Sequence, residues 1–287
     1  MSLHGLRKAH VGLIAKNHAR FSVRSGTGLI FSLITILVGL VIASIFMDPA
    51  AGVEGSDDIA QAQISEVAIP VIKWLTDATD AQITYWLLDQ PALVTAFMFV
   101  FVLLVPFMVC LGAFNQLSGD IGSRGIRYQL LRTERANLFI GRFLGTYLFC
   151  LSIYALLFSV VAIFFVAQID FYSAGDVLLW MLRGFFVVAI YSLPYVAFCA
   201  LISCAIGSPF GSLALSYMFV GLFPLLIWIA EKRWEPAEYV GYLMPWKYRL
   251  LLFDPDPVTM LGAAAAMVAF TGVFLFLGVR HFERRDL

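Results

Sequence analysis

The chain has 287 residues, of which 61% are hydrophobic and 13% are charged, and its formal net charge is zero. A soluble globular domain is about half apolar and about a quarter charged, so this composition indicates a membrane protein. The sequence has no basic patch interleaved with aromatic residues, which argues against a nucleic-acid partner. The four cysteines form no CxxC pair and are interpreted as packing residues.

The apolar residues fall into blocks about 20 residues long, the length that an α-helix needs to cross a bilayer. These blocks predict an all-α, polytopic membrane protein with six transmembrane helices in one domain, residues 1–287. The predicted spans are residues 28–47, 92–114, 143–167, 178–202, 212–230 and 258–279.

Lysines and arginines are distributed unevenly between the loops. Thirteen lie in the N-terminal segment, the loop between the second and third spans, and the C-terminal tail, whereas five lie in the remaining loops. Because cations are in excess on the cytoplasmic side of membrane proteins, this pattern predicts that both termini are cytoplasmic. The acidic loop 48–91 and the aromatic-rich segment 231–257 are then external.

The N-terminal segment, residues 3–24, is predicted to form a helix on the surface of the inner leaflet. Its apolar positions can fall near one face of that helix: Leu3, Leu6, His10, Ile14 and Phe21. A disordered basic arm that only fixes the topology is the alternative.

The external loop 48–91 is predicted to contain one or two short helices. The loop 48–91 has one apolar stripe at Ile64, Val67, Val71, Ile72 and Leu75 and a second stripe at Ile83, Trp86 and Leu87. Solvated linkers rarely carry such stripes, so this loop is a candidate lid or a surface for an extracytoplasmic partner.

The six predicted spans contain no Asp, Glu or His. Ion-coupled secondary transporters usually carry a titratable or coordinating carboxylate in the membrane, so this class is disfavoured. The sequence has neither an H-E-x-x-H motif for a metal nor a phosphate loop for ATP. Arg183 is the one ion within a span, and it either faces a translocation path or extends to the lipid headgroups.

The loop between the second and third spans has a composition unlike that of the outer loops. It is predicted to contain a helix over residues 126–135, with Arg124, Tyr128, Leu131 and Arg135 on one face. A mixed apolar and basic face suits a groove on a protein partner. The alternative is that these arginines only orient the protein in the membrane.

This loop resembles the cytoplasmic loop of the type-2 ABC exporter permeases, the class with the type V transporter fold. The similar elements, in order, are Asp120, Arg124-Gly125, Leu130-Leu131, Arg132 to Arg135, and Gly141-Arg142, although Ile126 and Thr133 replace a threonine and a proline of the pattern. Leu243-Met-Pro245 before the last span and the terminal Phe282-Glu-Arg-Arg-Asp-Leu287 also resemble that family.

The resemblance implies a permease subunit that works with a separate ATP-binding subunit, which carries ATP and Mg²⁺, in a complex of two permeases and two ATPases. The loop would contain the coupling helix, and its implied docking residues are Asp120, Arg124, Arg127, Tyr128, Leu131, Arg132, Glu134 and Arg135. The segment 231–257 would fold partly back between the spans. Residues expected at the path or the permease interface are Arg183, Gly211, Ser212 and Ser216.

The expected function is therefore the membrane half of an ATP-driven exporter in a prokaryotic cytoplasmic membrane, surrounded by lipids and paired with a second permease. No metal or cofactor is expected in this chain. A membrane scaffold that transmits an ATPase cycle to an external protein is the main alternative, and a secondary transporter is a further one.

The orientation can be tested with single cysteines in a variant that lacks the four native ones. Cysteines within residues 57–80 should react with an impermeant thiol reagent on intact spheroplasts, because this loop is predicted to be external. Cysteines within residues 122–135 should react only after permeabilisation. The opposite labelling pattern would overturn the charge-based orientation.

Overall fold

The computed structural model describes residues 8–50, 79–87, 90–169, 172–231, 233 and 237–285. These residues form helices and connecting turns and contain no β-strand. Among them are six helices long and apolar enough to cross a membrane. The chain is thus an all-α, multi-pass membrane protein, as the hydropathy pattern predicts.

The helices and their bounds follow the predicted spans closely. The spanning helices are α2 (Gly26–Ala50), α4 (Ala92–Ala113), α7 (Arg135–Gln168), α8 (Ala174–Ala205), a composite fifth helix and α12 (Pro257–Arg284). The fifth helix consists of α9 (Pro209–Tyr217), a π-helical turn (Met218–Leu222) and α10 (Phe223–Glu231). The short helices are α1 (Lys8–Arg24), α3 (Asp80–Leu87), α5 (Ser118–Gly122), α6 (Ile126–Leu130) and α11 (Ala237–Gly241), with 3₁₀ turns at Pro245–Tyr248 and Leu251–Phe253.

The α4 and α8 helices form the centre of the bundle. In the most apolar 18-residue stretch of each helix, 72% of the residues are buried in α8 and 67% in α4, compared with 11% in the fifth helix. Aromatic rings fill the contact between α4 and α7, where Phe158 lies 5.6 Å from Phe101 and 6.0 Å from Phe97 in edge-to-face geometry. Edge-to-face pairs are favourable beyond the area they bury. The fifth helix is therefore an outer wall on a tightly packed centre.

The α1 helix docks on α7 through two glycines one turn apart. A Cβ atom on Gly145 would lie 2.6 Å from the Ala15 carbonyl oxygen, and a Cβ on Gly141 would also meet α1. Small residues at this spacing allow helices to approach closely. The docked face of α1 therefore contains Val11 and Ala15, which are buried, whereas Phe21 is 68% exposed. Of the predicted apolar face, Ile14 is half-buried and His10 and Phe21 are exposed; residues 3–7 lie outside the described residues, and the contact of this face with the inner leaflet stays a prediction.

The α3 helix is attached to the bundle by Arg183. The Arg183 guanidinium donates to the Tyr85 hydroxyl at 2.9 Å and to the Asp254 carbonyl oxygen at 2.8 Å, and the Trp86 indole N–H donates to the Phe253 carbonyl oxygen at 3.0 Å. Arg183 thus joins α8, α3 and the segment before α12. The stripe at residues 64–75 lies outside the described residues.

Filling the α1 groove should destabilise the protein. A Gly145→Leu substitution would force its side chain into the α1 backbone, and overpacking of this kind costs about 1–3 kcal/mol. Gly272→Leu is the matched control, because no atom lies within 4 Å of its Cβ position and leucine favours a helix over glycine. Thermal unfolding in detergent should show a lower midpoint for Gly145→Leu only; equal midpoints would contradict the docking of α1.

Candidate functional sites

The loop between α4 and α7 is fixed to the ends of the spanning helices. The Ser203 hydroxyl of α8 accepts hydrogen bonds from the backbone N–H groups of Leu117 and Ser118 at 2.8 and 2.9 Å. On the other side, the Arg142 guanidinium of α7 pairs with Asp120 and donates to the Gln129 side-chain oxygen at 2.7 Å. Asp120 is therefore engaged inside the chain, and α5 and α6 move with α4, α7 and α8.

The predicted helix over 126–135 is shorter than expected, because α6 ends at Leu130 and a turn precedes α7. Arg135 begins α7 and does not share a face with Tyr128. Its guanidinium donates to the carbonyl oxygens of Phe282, Glu283 and Arg285 at 3.1, 2.8 and 2.7 Å. A cation at this place satisfies the last carbonyls of a helix, so Arg135 caps α12.

The outermost part of this loop, residues 124–134, is here called the loop tip. Tyr128 and Leu131 are 77% and 83% exposed, which is high for large apolar side chains in a polar segment. The charged side chains exposed beside them are Arg124, Arg127, Arg132 and Glu134. The tip thus combines two apolar anchors with an excess of positive charge.

The loop tip begins at a strained residue. Arg124 has a φ of 59°, a left-handed conformation that non-glycine residues adopt at a cost on the order of 1–3 kcal/mol. Its backbone N–H bonds to the Ile121 carbonyl oxygen at 3.1 Å, which turns the chain out of α5 and into α6. Such strain is concentrated at functional sites.

A polar cavity of about 810 Å³ lies between α1 and the loop. His18 lies on its wall and shares a hydrogen bond of 3.1 Å with the Thr146 hydroxyl of α7. Burial lowers the pKa of His18 to about 4; the positive charge of Arg142 adds to this effect, and Asp120 opposes it. His18 is therefore neutral at pH 7 when α1 is docked.

A second cavity, of about 450 Å³, lies among the spanning helices and is here called the central cavity. Its walls come from α4, α8, the fifth helix, α12 and the segment Met244–Arg249, and most of them are apolar. The lining residues are Leu103, Pro106, Phe107, Tyr191, Tyr195, Phe198, Phe219, Val220, Gly221, Phe223, Pro224, Leu225, Trp228, Met244, Pro245, Trp246, Arg249 and Phe274.

The central cavity lies near the middle of the helices. Leu103 and Phe107 are about 16–22 Å from the Ala92 end of α4, at about 1.5 Å per residue. The segment before α12 reaches the same region, because the Tyr248 ring lies 5.9 Å from that of Phe270 in the middle of α12. Sequence interpretation counts Arg249 as an external cation; the structure places it on the wall of this cavity.

Three of the surrounding helices are irregular where they meet the cavity. Pro106 lies inside α4, and Pro194 lies inside α8 between Tyr191 and Tyr195. The π-helical turn Met218–Leu222 lies in the wall formed by the fifth helix. Proline removes a helical hydrogen bond, and π-turns occur frequently at functional sites. The irregular positions thus indicate a functional role for the cavity.

A few polar groups face this apolar space. The Tyr195 hydroxyl donates to the Tyr191 hydroxyl at 3.0 Å, and Arg249 donates to the Trp246 carbonyl oxygen at 2.9 Å. The Trp246 indole nitrogen is buried and has no hydrogen-bond partner among the described residues. An apolar cavity with a few convergent polar groups is the usual form of a small-molecule site.

The small residues predicted for a path or an interface pack within the chain. The Ser212 hydroxyl donates to the Phe114 carbonyl oxygen at 2.8 Å, and Ser216 is fully buried. Gly211 lies in the capped first turn of α9, where its N–H bonds to the Ser208 hydroxyl at 3.3 Å. None of the three residues lines the central cavity, and the outward face of the fifth helix carries large apolar side chains instead.

Comparison with known proteins yields no match, either among models of protein families or among curated proteins. Within the described part of the chain, no group of three or more His, Cys, Asp and Glu side chains could hold a metal ion. The functional assignment therefore depends on the loop tip and the central cavity.

Protonation of His18 at low pH should weaken the docking of α1 on α7. Protonation of His18 is more favourable when α1 is undocked or unfolded than when it is docked. The free energy of unfolding should therefore fall as the pH drops from about 6.5 towards 4, by roughly 3 kcal/mol at most. Unfolding midpoints between pH 7 and 4.5 measure this loss, which His18→Gln should reduce because glutamine does not titrate. His10→Gln, on the exposed face of α1, is the control, and identical pH profiles for both variants would exclude His18 as the cause.

Proposed function

We propose that this chain is the permease subunit of an ATP-driven exporter in a prokaryotic cytoplasmic membrane. ATP and Mg²⁺ bind to a separate ATPase subunit, and two permeases assemble with two ATPases. The observation that carries the proposal is the loop tip, in which Tyr128 and Leu131 are exposed beside three arginines.

The loop tip has the chemistry of a docking surface. An exposed tyrosine and leucine in an otherwise polar segment gain free energy when a partner covers them. Arginines on the rim of such a contact attract acidic side chains and fix the orientation of the partner. A loop that only oriented the protein in the membrane would need the arginines but not the two exposed apolar anchors.

The loop tip is also attached in a way that suits force transmission. Arg142 and Asp120 connect it to α7, Ser203 connects its base to α8, and Arg135 connects the start of α7 to the end of α12. A displacement of the tip is therefore shared by several spanning helices rather than absorbed by the loop. The α4 and α8 helices pass it on to the central cavity, which their residues line.

The fifth helix supports pairing with a second permease. Its outward face is lined by large apolar side chains, among them Phe210, Met218 and Leu222, and it is the least buried of the six spanning helices among the described residues. A second copy that packs against the part of this face formed by Phe210, Met218 and Leu222 would leave the part near Leu225 and Trp228 open to the membrane.

Docking can be tested by purifying the tagged chain from its native cells and measuring the phosphate-loop ATPase that co-purifies with it. Leu131→Asp removes an apolar anchor, and the double variant Arg127→Glu with Arg132→Glu places like charges in the contact. Such juxtaposition costs several kcal/mol, which weakens binding roughly a thousandfold. Both variants should insert and dimerise normally and lose the ATPase during detergent purification.

Charge reversal also weakens the positive-inside signal, so the control is the double variant Arg127→Gln with Arg132→Gln. It removes the same two arginines without introducing like-charge repulsion, and its orientation is checked by thiol labelling. It should retain more ATPase than the Glu variant. Retention of the ATPase at the wild-type ratio by both the Leu131→Asp and the Glu variants would exclude the loop tip as the docking surface.

A further inference from the structure

We propose that the central cavity binds a single-chain amphiphile that is dissolved in the membrane: an apolar chain or ring system with a carboxyl or phosphoryl headgroup. Binding itself requires no ATPase. The further statement that this amphiphile is the exported cargo rests on the proposed function.

The position of the cavity determines how a ligand enters. The cavity lies near the middle of the spanning helices, and its outer wall is the fifth helix, which packs least against the rest of the chain. Leu225 and Trp228 line the cavity and are each 50% exposed. Because the wall that they form belongs to the least packed spanning helix, a molecule already dissolved in the bilayer enters through this wall without crossing water.

The size of the cavity limits the ligand. Small-molecule sites have volumes of about 300–1,000 Å³, and a volume of about 450 Å³ lies in the lower half of that range. One chain or a compact ring system fits such a space, whereas a phospholipid with two chains does not. The aromatic side chains on the walls, such as Phe107, Phe198 and Phe219, provide the apolar contact area.

The headgroup assignment depends on the polar groups at the segment Met244–Arg249. The buried Trp246 indole N–H has no acceptor among the described residues, and an unsatisfied buried donor is costly. A ligand oxygen in this position would accept that hydrogen bond. Tyr195 donates to Tyr191, so the Tyr191 hydroxyl can donate to a second oxygen, and two donors on the wall of one cavity suit a carboxyl or phosphoryl headgroup, which presents several acceptor oxygens.

The full chain, purified and reconstituted in nanodiscs, can be tested with a diazirine derivative of palmitic acid. Cross-linked peptides should map to α4, α8 and the fifth helix. Val220→Phe fills the cavity from the π-helical turn and should reduce this labelling at least tenfold. Val268→Phe is the matched control, because Val268 is 59% exposed on α12 and does not line the cavity; its labelling should equal that of the wild type.

A second variant tests the headgroup and preserves the aromatic volume. Trp246→Phe removes the N–H group, and loss of one hydrogen bond should weaken binding of the fatty-acid probe about threefold to tenfold. A diazirine hydrocarbon of the same length, which has no headgroup oxygen, should bind both proteins equally. An unchanged affinity of Trp246→Phe for the fatty acid would overturn the headgroup assignment.

Two results would overturn the site itself. One is equal labelling of Val220→Phe and Val268→Phe, and the other is equally strong labelling of the cavity by a photoreactive two-chain phosphatidylcholine, which would identify a crevice for bulk lipid. Failure of the loop-tip docking, which carries the exporter assignment, appears separately as ATPase retention by the loop-tip variants, because the labelling experiment contains no ATPase.

Discussion

The ion pair between Arg142 and Asp120 connects parts of the chain that would otherwise be independent. The Arg142 guanidinium also bonds to the Gln116 carbonyl oxygen beyond the end of α4 and to Gln129 in α6. Its charge contributes to the neutral state of His18 on α1. A mostly buried arginine is costly unless its donors are satisfied, so this cluster has one favourable arrangement, and that arrangement fixes the loop against the helices.

This arrangement relates the loop tip to the central cavity. The tip lies beyond the ends of α4 and α7, and the cavity lies near the middle of α4 and α8. In the proposed exporter, movement of the tip would reach the cavity through α4 and α8, because the base of the loop continues from the end of α4 and is bonded to Ser203 of α8. Pro106 and Pro194 are the positions where these two helices bend most easily.

The sequence predicts the spanning helices well because each of them carries its own hydrophobic signal. It predicts poorly those residues whose role depends on a partner distant in the chain. Arg135 was expected on the docking face, but it caps α12, and no local pattern reveals the carbonyl oxygens of residues 282–285. Arg249 counts as an external cation in the charge pattern; the resemblance implies that its segment folds partly back between the spans, and the structure places it among apolar helices. The composition of the loop tip and its resemblance to a coupling loop predict a docking surface; the structure shows Tyr128 and Leu131 exposed there, and docking itself stays a prediction.

The uneven packing of the bundle indicates which wall of the cavity moves. The α4 and α8 helices are enclosed on most sides and fastened by Arg142 and Ser203, whereas the fifth helix has little buried surface and is interrupted by the π-helical turn. Regions with few buried contacts rearrange at the lowest free-energy cost. In the proposed exporter, a displacement that enters through the loop would therefore shift α4 and α8 relative to α10, because only the α9 end of the fifth helix is bonded to the end of α4, through Ser212 among the described residues. In the proposed exporter, this relative shift opens and closes the side of the central cavity that faces the membrane.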